Sequence, residues 1–268
     1  MRIGWWLLLL LQVGCAANRG GGYYEDDGPP RRAPRDLAQI ADAEPRREPI
    51  SKSGNRPYTV FNKTYYPRAD AKNYRERGVA SWYGKKFHGR RTSSGERYDM
   101  YAMSAAHKTL PIPSYVRVRN LRNGKTTVVR VNDRGPFLHN RLIDLSYAAA
   151  AKLDIVASGT GLVEIESIEF DAPAAVAEAA PAPTPISPPA AAPEIFIQVG
   201  AYVERDNAER MRSGLYRAGF SGVHISTHPD QVTLYRVRVG PLANVEESDD
   251  LLRRLLERGF EHAYIAIE

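Results

Sequence analysis

A run of alanine and proline, "DAPAAVAEAAPAPTPISPPAAAPE" from Asp171 to Glu194, divides this chain and limits what it can fold into. Proline at this density withdraws backbone donors and favours an extended, semi-rigid chain. No single core can cross such a run, so the fold must be assembled from smaller units on either side of a linker at 171–193. A second stretch, residues 15–76, carries "GGG", "PPRRAPR" and "EPRREP" without a sustained apolar period and reads as a flexible tether. What remains of the 268 residues is two segments, 77–170 and 194–268, each at the small end of domain size.

Residues 1–14 form an export signal: Met1-Arg2 supplies positive charge and Trp5 to Leu11 a short apolar core. That core is far below the roughly 20 residues a spanning helix needs. Cys15, the only cysteine, cannot form an intramolecular disulfide. Its context "LLQVGC" resembles a bacterial lipobox, in which the chain is cut before the cysteine and the thiol is acylated, although Gln12 stands where leucine is usual. Ala16 in place of aspartate favours the outer membrane, with the protein facing the periplasm.

Charge is uneven. Gly78 to Phe170 holds 14 Lys and Arg against 8 Asp and Glu, a balance of +6, while Glu194 to Glu268 holds 9 against 12, or −3. A basic domain seeks an anionic polymer or surface. Export excludes nucleic acid and leaves the carboxylate-bearing cell wall as the natural partner.

The C-terminal segment repeats itself. "FIQVGAYVERDNAERMRSGLYRAGF" overlays "YRVRVGPLANVEESDDLLRRLLERGF", each a strand, a loop, a helix and a Gly-Phe stop. Asp206 with Glu209, and Asn244 with Glu247, have capping-box spacing. Two βαβ units predict a ferredoxin-like, four-stranded antiparallel sheet with both helices on one face. By period two, Ile197, Val199, Val237 and Val239 face the helices, leaving Phe196, Gln198, Gly200, Arg236 and Arg238 on an open face with Tyr202 and Tyr235 nearby. Such a face binds a polymer or is simply solvated. The residues "IQVGAY", "NAERM" and "YRVRVGP" resemble the SPOR domain, which implies binding of peptidoglycan strands stripped of stem peptides, enrichment at the division septum, and a glycan site at Gln198, Tyr202, Tyr235, Arg236 and Arg238.

In the middle segment the apolar runs are short. "GVASWYG" is strand-like, "SYVRVRN" alternates, Asn123-Gly124 makes a tight turn, and "KTTVVRVNDRGP" returns as the hairpin partner. Short helices are expected around Ser104–His107 and over Ser146–Leu153, with "GLVEIESIEF" as the last strand. The spacing predicts a small, mainly β domain closed into a barrel.

Its prominent polar residues are Glu96, Asp99, His107, Asp133, His139 and Asp144. Cleaving a polysaccharide requires a carboxyl group that protonates a leaving oxygen, often with a second carboxyl to handle charge. The donor must be partly desolvated to keep its proton near neutral pH. Asp133 ends the apolar strand "VVRVNDRGPF" and meets that need better than an acid on a polar loop, although Asp-Arg-Gly-Pro is equally an ordinary turn. His88 and His139 lack metal-ligand spacing, so neither a metal nor another cofactor is expected. Of Trp82 and Tyr83, adjacent on a strand, at most one can face a ligand.

"SWYGKKFHGRRTSSGERYDMYAMSAAHKTLP", "VNDRGPF" and "RLIDLSYAAAAKL" together resemble the rare lipoprotein A family, whose core is a double-psi β-barrel. The resemblance covers nearly the whole segment and implies one groove, related to those of expansins and some lytic transglycosylases. It implies Glu96, Asp99, His107 and Asp133 as catalytic residues, with Trp82 and Tyr83 near the sugar path; Arg134, beside Asp133, either folds inward against that acid or points out to bind a substrate carboxylate. The implied reaction cleaves between N-acetylmuramic acid and N-acetylglucosamine without water and leaves a 1,6-anhydro end. Asp133 would act first as acid and then as base, with Glu96 as the runner-up. The alternative is a non-catalytic, expansin-like wall-loosening lipoprotein that uses the same groove.

Overall fold

A computed structural model describes residues 27–34, 36–137, 140–169, 193–228 and 234–268. Cys15, His139 and most of the alanine-proline run lie outside the described residues. In chain order the first elements are a short hairpin, β1 (Tyr58–Val60) and β2 (Lys63–Tyr65), followed by β3 (Arg75–Tyr83), β4 (Ser104–His107), β5 (Ser114–Asn120), β6 (Thr126–Asp133), β7 (Arg141–Ser146), α1 (Tyr147–Lys152) and β8 (Gly161–Ser167).

Strands β3 to β8 close into a barrel in the order β3-β7-β4-β6-β5-β8. The pairs β3-β7 and β4-β6 are parallel and the rest antiparallel, the double-psi arrangement. Val116, Val118, Val129, Val131, Ile143, Leu145, Val163 and Ile165 fill the interior, each worth about 1.5–3 kcal/mol on full burial. The β5-β6 hairpin turns at Asn123-Gly124 as expected, with Gly124 in the left-handed region at φ 72°. Ser146 caps α1, its Oγ accepting from Ala149 N at 3.2 Å.

Ser104–His107 is a strand, not the expected helix. All four residues are buried between β6 and β7, and tertiary pairing overrides the helical preference of Ala105 and Ala106. The stretch read as a tether is also shorter than composition implied, because much of residues 36–74 is fastened along the barrel. Leu37 enters the core, Ala43 N donates to Val128 O at 3.0 Å and Ser51 N to Ile112 O at 2.9 Å. Asn55 donates to Ile112 O at 2.7 Å. Anchors spaced this widely along an extended strap leave no periodic signature.

The C-terminal unit comprises β9 (Ile195–Tyr202), α2 (Arg205–Arg217), β10 (Val223–His228), β11 (Leu234–Leu242), α3 (Val245–Glu257) and β12 (Tyr264–Ile267). The sheet order is β10-β11-β9-β12, all antiparallel. Ile197, Val199, Val237 and Val239 pack on Ala208, Leu215, Leu252 and Leu255 of the helices. Asn244 caps α3 by accepting from Glu247 N at 2.8 Å, and Glu247 reaches back to Ala243 N. The expected box on α2 does not form: Glu209 instead pairs with Arg212 at 2.6 Å, and Glu204 stands at the N-cap with its side chain accepting from Asn207 Nδ2 at 3.2 Å and making no capping bond to the backbone. Val79 and Leu162 of the barrel share an apolar cluster with Ile195 and Val245, and Arg141 pairs with Asp249 at 2.7 Å beside it.

Candidate active site

Two neighbouring rows cross the barrel wall. Trp82, Leu145, Ala105 and Val131 pair across β3, β7, β4 and β6 and face the core. In the next row Ser81 pairs with Asp144, Asp144 with Ala106, and Ala106 with Asp133. Successive strand residues face opposite ways, so this second row lies on the outer side of the wall. A register shift beside Asn132 brings Asp133 into it. Ser81 and Ala106 are small and, like Asp144, buried, with Gly135 over Ala106 and Asp144, so the row carries one enclosed carboxyl on β7 and one half-exposed carboxyl at its edge on β6. Cross-strand spacing puts the two backbones about 10 Å apart.

The turn "TSSGE" holds Asp133 in place. Thr92 N donates to Glu96 O at 2.8 Å, and Ser94 N to Asn132 O at 3.2 Å, which ties the turn to the end of β6. Asp133 Oδ1 then accepts from Ser93 N at 2.8 Å, Ser93 Oγ at 2.7 Å and Arg134 N at 2.8 Å. With Oδ1 held by three donors, Oδ2 has a fixed direction. Asp133 itself is only half-buried.

Asp144 is enclosed. Ser81 Oγ donates to its Oδ1 at 2.5 Å, and its Oδ2 faces Gly135, where an added Cβ would lie 3.7 Å away. Gly135 has φ 138°, which only glycine adopts readily, and this lets the chain fold over the acid. Burial pushes the Asp144 carboxyl up to about 7, with the Asp133 charge adding to the rise, while Ser81, Arg141 and Lys108 oppose it. It is a residue poised to hold a proton near neutral pH. Asp144 stands among the prominent polar residues of the sequence but outside the implied site; its signal is an aspartate inside the continuous apolar strand "RLIDLS".

Glu96 is held differently. Arg130 donates to it in a fork at 2.7 and 2.8 Å and to Glu48 in a second fork at 2.8 and 2.7 Å, while Asn132 Nδ2 adds a bond at 3.1 Å. Hydrogen bonds from Arg130 hold both carboxyls below the usual range, Glu48 at about 2. With both of its oxygens bound by the Arg130 guanidinium, Glu96 has no oxygen left to deliver a proton, whereas Asp133 keeps Oδ2. Glu96 belongs to a clamp that fixes the turn bearing Ser93.

His107 is 3% exposed. Its Nδ1 accepts from Thr109 N and Leu110 N, and Nε2 meets Tyr74 OH at 3.0 Å. Burial, followed by the charges of Lys108, Arg134 and Arg68, lowers it to about 3. It is a neutral ring that shapes the 107–110 turn, and it is too buried to meet sugar hydroxyls. Asp99 accepts from Tyr101 N at 3.0 Å and faces His88 at 3.6 Å, which ties it to the His88 loop instead of to Asp133.

The expected sugar-path residues are otherwise occupied. Trp82, at 6% exposure, lies in the core row against Tyr147, and Tyr83, also at 6%, stacks on Tyr98 at 4.0 Å. Arg134 turns inward. It donates to Gly54 O at 2.9 Å, His107 O at 3.1 Å, Leu110 O at 2.5 Å and Asn55 Oδ1 at 3.0 Å, so it fastens the strap rather than facing a substrate carboxylate. Beside the acids the aromatic surface is instead Tyr58, Tyr65 and Phe137, with Arg134 over the Tyr58 ring at 5.9 Å. These tyrosines lie in the segment whose composition marks it as tether; their signal is "YTVFNKTYY", which alternates around a turn.

On the C-terminal sheet a bulge changes the expected face. Arg238 pairs with Gln198, but Val237 pairs with Gly200 and Tyr235 with Tyr202. The extra residue at Val199 swings Gly200 and Tyr202 to the helix side, where Tyr202 and Tyr235 join the core. Gln198 and Arg238, 6% and 5% exposed, are bound to each other, Gln198 also to Tyr264 and Arg238 to Glu268. Arg236, half-exposed, remains on the outer face beside Ser226.

Residues 75–165 match the family described as lytic transglycolase, and residues 191–266 match the SPOR domain. An endolytic peptidoglycan transglycosylase RlpA of Pseudomonas aeruginosa is 43% identical over 260 residues, covering 79% of this chain and 76% of its own. The protein of the same name from Vibrio cholerae is 45% identical over 232 residues, covering 87% and 84%. The crystal structure of the RlpA SPOR domain from Pseudomonas aeruginosa is 26% identical, covering 27% of this chain and 96% of its own at a TM-score of 0.25. At these identities over most of each relative's length, this chain belongs to the RlpA family.

Proposed function

We propose that this protein is a lytic transglycosylase that cleaves the bond between N-acetylmuramic acid and N-acetylglucosamine within peptidoglycan strands. The observation that carries the reading is the outer row of the barrel: a fixed, half-buried Asp133 and an enclosed Asp144 raised to about 7, flanking Ala106. Asp133 gives its proton to the glycosidic oxygen as the C1–O bond breaks. The muramoyl 6-hydroxyl oxygen then closes onto C1, and the Asp133 carboxylate takes its proton. No water is consumed, and the product ends in a 1,6-anhydro ring. Asp144, enclosed beside Ala106, keeps its own proton up to about pH 7, so Asp133 works next to an uncharged neighbour.

The C-terminal sheet would supply binding to strands lacking stem peptides, through the outer face that includes Arg236, and would enrich the protein at the septum. Cys15 would carry the lipid that tethers the protein to the outer membrane, facing the periplasm. Two experiments test these parts. Labelled palmitate should enter the full chain and be lost in Cys15→Ser. Fluorescent fusions should collect at septa, and uniform labelling of the envelope would reject the septal assignment.

A further inference from the structure

The β1-β2 hairpin precedes the 75–165 stretch that defines the barrel domain, yet it is built against the acidic row. Tyr58 and Tyr65 are cross-strand partners with rings stacked at 5.2 Å. Phe137, at the end of the loop that follows Asp133, packs edge-on against Tyr58 at 6.0 Å and tilted against Tyr65 at 5.8 Å. Tyr58 OH donates to Lys108 O at 2.8 Å, which pins the hairpin beside β4. Both tyrosines are half-buried; Arg134 lies over the Tyr58 ring at 5.9 Å and Lys63 over the Tyr65 ring at 5.6 Å, the latter a flexible side chain that a ligand can displace.

The tip of the hairpin is unusual. Phe61 has φ 48° and Asn62 φ 59°, the two left-handed positions of a turn that favours Asn-Gly. A bulky side chain in that region is an outlier, and this one is also 82% exposed. Both its backbone and its exposed ring disfavour phenylalanine for folding alone. Strain and exposure kept together at one position next to a site point to a ligand.

We propose that the β1-β2 hairpin and Phe137 form an aromatic subsite for the pyranose rings of the glycan strand next to the scissile bond. Sugar C–H faces lie against Tyr65 and Phe137, and Phe61 reaches a ring farther along the strand. Aromatic side chains offer a broad apolar face that matches the C–H face of a pyranose ring, and Tyr65 adds a hydroxyl for the sugar's polar substituents. The subsite rests on the glycan-cleaving reading for its position, but it can be tested without cleavage.

Two readouts on the full chain decide it. In the Asp133→Asn background, ring-proton resonances of Tyr58, Tyr65 and Phe137 should shift as a short β-1,4-linked N-acetylglucosamine oligomer is titrated. In the active protein, Tyr65→Leu should raise KM for peptide-free glycan about fivefold, with the loss chiefly in KM, and Phe61→Ser should raise it about threefold on long strands; these are the sizes expected for losing one ring contact. Tyr65→Phe, which keeps the ring, should retain the wild-type KM even if Tyr65→Leu disturbs the fold. Shifted rings without any cleavage would keep the subsite and reject the enzymatic reading. Unmoved rings with an unchanged KM in Phe61→Ser and Tyr65→Leu would overturn the subsite.

Discussion

Asp133 and Asp144 stand on either side of Ala106 in one row across β6, β4 and β7, the first half-exposed and the second enclosed. An acid raised by burial leaves a signature in stability as well as in activity. Folded Asp144 keeps its proton up to about pH 7, whereas the unfolded chain releases it near pH 4. The folded state therefore binds more protons between those values, and stability must fall as pH rises from about 4 through about 7. Asp144→Asn should remove that slope and recover up to about 4 kcal/mol above pH 7, by the usual conversion of pKa shift to free energy. Denaturant titrations from pH 4 to 8 measure it.

The same pair should govern rate. Wild-type activity should decline above about pH 7 as Asp144 loses its proton. Asp144→Asn should lower kcat by at least about tenfold and abolish that alkaline limb, within the range typical of lost acid-base help. An Asn variant with the wild-type rate and limb would show Asp144 to be a bystander.

Glu96→Gln separates clamp from catalyst. Because Arg130 already holds Glu96 as its anion, the amide should leave the pH profile where it is. It should lower activity by about tenfold or less through loosening of the Ser93 turn, and stability by at most about 1 kcal/mol, since the pair is partly exposed. A shifted acid limb would assign the proton to Glu96.

His107 should make the barrel acid-sensitive. Its folded pKa, about 3, lies below the ordinary value near 6.5. The unfolded chain binds the proton first, so stability is complete above about pH 6.5 and is lost as pH falls toward 3. His107→Ala should cost about 3 kcal/mol by stranding its partners. NMR of the imidazole would follow its titration.

Arg236→Ala should weaken binding to peptide-free glycan about tenfold, as for loss of a charged hydrogen-bond donor. Arg238→Ala should lower Tm instead, because Arg238 is buried against Gln198 and Glu268. Tyr202→Phe should do neither.

The barrel, its hairpin at Asn123-Gly124 and the paired βαβ units were legible because alternation and repeat length are local properties. What sequence could not show came from non-local events. The extra residue at Val199 reverses the side on which Tyr202 lies, and no pattern in "IQVGAY" announces it. Trp82 looked like a sugar platform until cross-strand pairing put it in the core row. The motifs point to Glu96 as catalytic and leave the direction of Arg134 open, but Arg134 is spent on backbone carbonyls of the strap and of the 107–110 turn, and Glu96 on Arg130. The strap itself was hidden because each of its anchors is solitary.

The most direct test digests peptide-free glycan with the purified chain and reads the products by mass spectrometry. Wild type should release fragments with 1,6-anhydromuramoyl ends, and Asp133→Asn, still folded, should release none. Intact strands with wild type, or hydrated reducing ends in place of anhydro ends, would contradict the account.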